Sequence, residues 1–66
     1  MLNAGYWKRA IGGVFNITMP TGEKYQGMLL EVRRSRYLVF TIALPRREDW
    51  TKLIDRHDTQ YTFERC

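Results

Sequence analysis

A single cysteine in a chain of 66 residues is the strongest limit on what this sequence can fold into. A domain of this length buries only about 60% of the surface that its unfolded chain exposes. Chains this short often add disulfides or a structural metal to hold a marginal core. One Cys cannot close a disulfide within the chain, so a disulfide-stapled secreted scaffold is excluded. One Cys and one His cannot supply the four ligands of a structural zinc site. No metal and no cofactor is therefore expected. Stability has to come from close packing or from a partner. Hydrophobic residues at 44% and charged residues at 27% give ordinary globular composition, not disorder. One domain over residues 1–66 follows.

No apolar run approaches the roughly 18 residues of a membrane span. The first residues lack the charged segment, apolar stretch and small-residue cleavage site of a signal peptide. A soluble, cytoplasmic protein without a membrane partner is the expectation.

Glycine and proline punctuate the chain. Residues 4–11 are compatible with a short helix, although Gly5 argues against a strong one. Gly12-Gly13 lets the backbone turn. From Val14 to Met19 the pattern alternates, with Phe15, Ile17 and Met19 on one face and Asn16 and Thr18 on the other. That is the signature of a half-buried strand. Met19-Pro20-Thr21-Gly22 fits a type I turn closed by a left-handed glycine. Lys24 to Val32 resumes the strand pattern and completes a hairpin. Gly27 within it predicts a bulge or a sharp bend.

Arg33-Arg34-Ser35 is the next turn. Arg36 to Leu44 is apolar from Tyr37 onward and reads as a central strand covered on both faces. Pro45 stops it. Arg46-Arg47-Glu48-Asp49 then opens a short helix, with Trp50, Leu53, Ile54 and His57 at helical spacing. Thr59 to Arg65 alternates again, with Tyr61 and Phe63 inward. The expected fold is mainly β, in the order strand, strand, strand, short helix, strand, preceded by the N-terminal helical turn. Such strands bury their faces best as a small, strongly bent antiparallel barrel of the SH3 or Sm kind. A four-stranded sheet packed on one helix is the alternative. A short last strand would leave an edge, which a second copy of the chain can cover.

Charge is unevenly distributed along this order. The formal net charge is +4. Residues 1–44 carry six basic and two acidic groups, so they hold all of the excess; residues 45–66 carry five of each. A one-sided basic surface attracts nucleic acid, nucleotides or acidic proteins. Arg33, Arg34 and Arg36 cluster at a hairpin tip beside Tyr37. Arginine forks match phosphate oxygens, and an adjacent ring can stack a base. Turn arginines also serve simply to keep an edge from pairing. Tyr6, Trp7 and Tyr25 lie among Lys8, Arg9 and Lys24, a basic and aromatic interleaving that a single-strand binding surface requires. Trp7 fits a lid on the core equally well.

Catalysis has little support. No phosphate-binding glycine loop, metal-ligand set or nucleophile elbow is present. His57 stands alone and reads as a surface residue. Asn16-Ile17-Thr18 matches a glycosylation pattern inside a strand and is discounted. Cys66 is expected to be exposed and free.

Two family resemblances add to this reading. Ile17 to Leu29 (ITMPTGEKYQGML) resembles the first Sm motif as the bacterial RNA chaperone Hfq carries it: strand, turn ending in glycine, Lys, apolar residue, Gln, Gly. Leu2-Asn3-Ala4 followed by basic residues resembles the N-terminal helix of that family. Arg33 or Arg34 stands where the family has an acidic residue, and Arg56-His57 is the fragment of its second motif. The resemblance implies single-stranded RNA binding on a ring through an arginine rim and aromatics, with Lys24, Tyr25 and Gln26 as the matched positions. Met19 to Gly22, Tyr25, Tyr37 to Leu44, Pro45 and Tyr61-Thr62-Phe63 resemble the N-terminal barrel of cyclic-di-GMP-responsive flagellar-brake proteins. That likeness implies a protein-interaction module.

Together these readings point to a small, non-catalytic nucleic-acid-binding protein that favours single-stranded RNA. Lys8, Arg9, Lys24, Arg33, Arg34 and Arg36 would neutralise phosphates while Tyr25 and Tyr37 stack bases. The alternative is an adaptor or small regulator that docks on a larger protein, with an acidic protein surface as partner.

Overall fold

The computed structural model describes residues 3–44 and 47–66, and side chains other than those of 43–49. The fold is mainly β, as the alternation predicts. One short helix, α1 (Ala4–Arg9), precedes five strands: β1 (Val14–Thr18), β2 (Lys24–Arg33), β3 (Tyr37–Leu44), β4 (Arg47–Asp55) and β5 (Thr62–Arg65). They form one antiparallel sheet in the order β4-β3-β2-β1-β5.

α1 begins where Asn3 caps it. The Asn3 Oδ1 accepts the Tyr6 N–H at 2.9 Å, which satisfies one orphan donor of the first turn. Trp7 points from this helix into the inner face of the sheet and is 3% exposed. Its ring lies 5.2 Å from both Phe15 and Phe63, so the lid reading of Trp7 holds.

The β1–β2 hairpin follows the predicted chemistry closely. Phe15, Ile17 and Met19 are buried, while Asn16 is exposed. Gly22 takes φ +93° and its N–H donates to the Met19 carbonyl at 2.9 Å. Only glycine enters that region without strain.

β2 carries its irregularity three residues later than Gly27 suggested. The register slips between Leu29 and Glu31, where β2 pairs with β3, leaving Leu30 as the extra residue. The slip changes which residues face inward. Tyr25, Gly27 and Leu29 share the inner face before it, and Val32 packs on the core after it. Gly27 has a different function, that of letting neighbours approach. A Cβ there would lie 3.1 Å from Ile42 Cγ1, 3.1 Å from the Thr41 carbonyl oxygen and 3.3 Å from Ile17 Cδ1.

The predicted short helix around residues 46–58 is overturned. Residues 47–55 are strand β4, paired with β3 from Tyr37↔Asp55 to Ile42↔Trp50. The apolar set that looked helical splits between two faces. Ile54 is fully buried, whereas Leu53 is 50% exposed. A strand separates neighbours in this way and a helix does not. β3 is apolar on both faces and needs a hydrogen-bonded neighbour on each side, which β2 and β4 supply. Pro45 and Arg46, read as the stop and the helix opening, lie outside the described residues.

The expected barrel closure is not present as a hydrogen-bonded ring. Among the described residues no ladder joins β4 to β5, so the sheet is open with these two strands as edges. It still has a single core. Phe15, Ile17, Leu29, Leu38, Phe40, Ile42 and Ile54 are fully buried on the inner face, and Trp7 and Ala10 cover them from the helical side. Phe63 and Tyr61 are only partly buried and pack against this cluster. No helix among the described residues is long and apolar enough to cross a membrane.

Gly27→Ala should lower stability by about 1–3 kcal/mol, as overpacking in a tight interior does. Urea denaturation followed by circular dichroism measures it. An unchanged midpoint would mean that β2 does not approach β1 and β3 this closely.

Candidate nucleic-acid interface

The eight predicted contact residues fall into three places. Lys8 and Arg9 end α1. Lys24 and Tyr25 begin β2, and Arg33 ends it. Arg34 and Arg36 lie in the turn that follows, and Tyr37 starts β3. A ten-residue strand spans about 30 Å, and the longest dimension of the molecule is 34 Å. Lys24 and Arg33 therefore sit near opposite ends of β2.

The β2–β3 tip is the denser charge cluster. Its four-residue turn closes with the Arg36 N–H donating to the Arg33 carbonyl at 3.0 Å. Arg34 and Ser35 occupy the two central positions with φ +52° and +55°. That is a type I′ hairpin turn, which normally uses Asn or Gly at these positions. Left-handed backbone is strained for Arg and Ser. A clamp from the far side offsets the strain. Arg56, just beyond β4, donates its Nε–H to the Ser35 carbonyl at 2.7 Å, and its backbone N–H donates to the Arg36 carbonyl at 3.0 Å. Arg56 is thus a fourth arginine at this tip. It was legible only as a motif fragment, because its partner lies 21 residues away.

Acidic partners share the tip. Arg33 pairs with Glu31. Arg36 forks onto Asp55, with Nη2 2.8 Å and Nε 3.0 Å from Oδ2, and its guanidinium lies 5.6 Å from the Tyr37 ring centre. Among the described residues Arg34 makes no side-chain hydrogen bond or ion pair, and it is exposed. The positive excess of the first 44 residues is therefore partly offset in space, because Asp55 from the charge-balanced segment sits on Arg36. The Arg36 guanidinium holds the Asp55 carboxyl below the usual carboxylate range, and the His57 N–H bond to Oδ1 at 2.9 Å adds to this. The same hydrogen bonds raise the Arg36 guanidinium further.

A second cluster lies farther along β4 from the tip and crosses the inner face to Tyr61. Tyr25 meets Trp50 edge to face at 6.5 Å. Trp50 is 38% exposed. The Lys52 ammonium stands 5.9 Å from the Trp50 ring centre and 5.9 Å from that of Tyr61. Tyr61 stacks on Phe63, and Phe63 on Phe40, each at an interplanar angle of 12°. Tyr25 donates its hydroxyl proton to Glu23 at 2.8 Å, and this bond raises the Tyr25 pKa. Lys24 and Tyr25 help to line an open groove that continues across β1 and β5 past Thr18 and Thr62. Alternation alone would have placed Trp50, Lys52 and Ile54 on one face. The helical spacing instead grouped Trp50 with Leu53, which the strand puts on the other face.

Lys8 and Arg9 join neither cluster. Both are exposed at the end of α1, where positive charge also suits the helix dipole. Among the described residues no group of His, Cys, Asp and Glu is placed to hold a metal ion. Cys66 is exposed and accepts a long contact from the Gln26 amide at 3.4 Å.

Ser35→Gly should raise stability by about 1 kcal/mol by removing a left-handed side-chain penalty. A lowered urea midpoint would contradict this account of the turn. The Asp55 pair has a pH signature. Its folded pKa lies below the unfolded one, so its contribution is complete above the unfolded value of about 3.9 and is lost as pH falls through the folded value. Between about pH 5 and pH 2 the wild type should lose more stability than Asp55→Asn. Parallel acid slopes would show that the pair contributes nothing.

Comparison with known proteins gives no match to a family model, to a curated protein or to a solved structure.

Proposed function

We propose that this protein is a non-catalytic, cytoplasmic nucleic-acid-binding module that prefers single-stranded RNA. The observation that carries this reading is the β2–β3 tip. Four arginines converge there on a strained turn with Tyr37 beside them, and Arg34 projects from its apex. Strained backbone held by distant contacts is found where geometry serves a function. The side chains of Arg33 and Arg36 remain 61% and 52% exposed despite their acidic partners, so spare N–H donors face solvent. Phosphate oxygens can use those donors without breaking the pairs. The resemblance of residues 17–29 to the first Sm motif supports the same ligand class. Among the described residues no helix suits a major groove, since α1 has six residues and buries Trp7.

A protein-docking role is the second reading. The outer face of the sheet favours it: Met28, Leu30 and Leu53 are 44–50% exposed around the buried Val39. Apolar docking and phosphate contact differ in their response to salt.

Fluorescence anisotropy of a labelled single-stranded RNA, titrated at about 50 and 200 mM salt, tests the first reading. Affinity should fall steeply with salt. Replacing Arg33, Arg34 and Arg36 together by alanine should weaken binding by roughly tenfold or more, given about 1.5–3 kcal/mol for each tight charged hydrogen bond. Unchanged affinity in the folded triple variant would remove the tip from the interface. Salt-independent retention of another protein, without RNA binding, would favour the docking role.

A further inference from the structure

We propose that Trp50, with Lys52 and Tyr61, forms a base-stacking subsite distinct from the arginine tip, and that its ligand is an unpaired nucleobase. The inference rests on the nucleic-acid reading above and extends it along β4, away from the β2–β3 turn.

Three observations carry it. Trp50 lies on the inner-face side of β4, in line with Lys52 and Ile54, yet it remains 38% exposed. A large ring that the core leaves open offers a flat apolar surface to a planar ligand. Next, the rings of Phe40, Phe63 and Tyr61 form a column of two successive near-parallel stacks running out from the buried Phe40. Tyr61 is the outermost ring of that column, so its orientation is set by a rigid core. Finally, the Lys52 ammonium stands equally far from Trp50 and Tyr61, at 5.9 Å from each ring centre. At that range a cation is attracted by both ring faces. Lysine is a flexible point charge, and a phosphate beside a stacked base would draw it away from the rings.

Lys24 and Tyr25 add charge and surface on the same side, through the Tyr25–Trp50 contact. A duplex buries its base faces in its own stack. The subsite therefore selects single strands, while the arginine tip contacts phosphates of either form.

Trp50→Leu and Trp50→Phe provide the test, each checked by circular dichroism for the wild-type spectrum. Both keep an apolar side chain on β4, and only the second keeps a ring. The probes are a labelled 12-nucleotide single-stranded RNA and a 12-base-pair duplex. Trp50→Leu should weaken single-strand binding about tenfold, within the range for losing one base–aromatic stack. Trp50→Phe should weaken it less, and duplex affinity should not change. In the wild type, the single strand should quench the exposed Trp50 emission and shield it from acrylamide, whereas the duplex should do neither. This fluorescence readout does not depend on any variant folding.

Single-strand affinity within twofold of wild type in Trp50→Leu, with no quenching, would overturn the subsite. If the triple arginine variant still lost affinity, the nucleic-acid reading would survive that result. Failure of the wild type to bind either probe at low salt would overturn both.

Discussion

Phe40 sits in the middle of β3 with no accessible surface, edge-on to Phe15 and stacked on Phe63. The rest of the structure is arranged around this contact. Among the described residues there is one sheet and no second layer, so burial is concentrated on its inner face. A six-residue helix covers it, and delivers Trp7 onto Phe15 and Phe63. The remaining burial must come from the sheet approaching itself. Gly27 permits that approach, because a Cβ at that point would crowd Ile42, Ile17 and the Thr41 carbonyl. Burying large rings is an efficient way for so short a chain to remove apolar area from water.

The same arrangement separates the two charged and aromatic regions. β2 is long enough to carry Lys24 to one end and Arg33 to the other. At the Arg33 end the surface is charge on strained backbone, with Glu31 and Asp55 moderating it. At the Lys24 end the surface is aromatic, with Lys52 lying over the rings. On the proposed reading, a phosphate chain and its bases present these two chemistries in alternation.

Much of the fold was legible because its strands obey simple alternation. Phe15, Ile17 and Met19 declared β1, and Pro20 with Gly22 declared its turn. The apolar run after Tyr37 declared a central strand. β4 was not legible, because Trp50, Leu53 and Ile54 satisfy helical and strand spacing alike. What decides between them is the unfilled hydrogen-bonding edge of β3, a tertiary demand that no local window contains. The candidate site divides along the same line. Arg33, Arg34 and Arg36 are neighbours in sequence and were seen. Arg56 reaches them only through the sheet, and Lys52 meets Trp50 and Tyr61 only once β4 is a strand. The position of the bulge was also hidden. Gly27 attracted attention as the flexible residue, but the extra residue is Leu30, which sequence does not distinguish from its apolar neighbours.

The clamp on the β2–β3 turn makes a local shape depend on a distant part of the chain. The Ser35 carbonyl and its Arg56 donor are 21 residues apart. A peptide covering only β2, the turn and β3 would contain the left-handed pair Arg34-Ser35 without the group that holds it. Such a hairpin is a poor starting point for folding, since its turn opposes closure until β4 lies beside β3. The arginine tip therefore owes its form to the assembled sheet and not to its own hairpin alone.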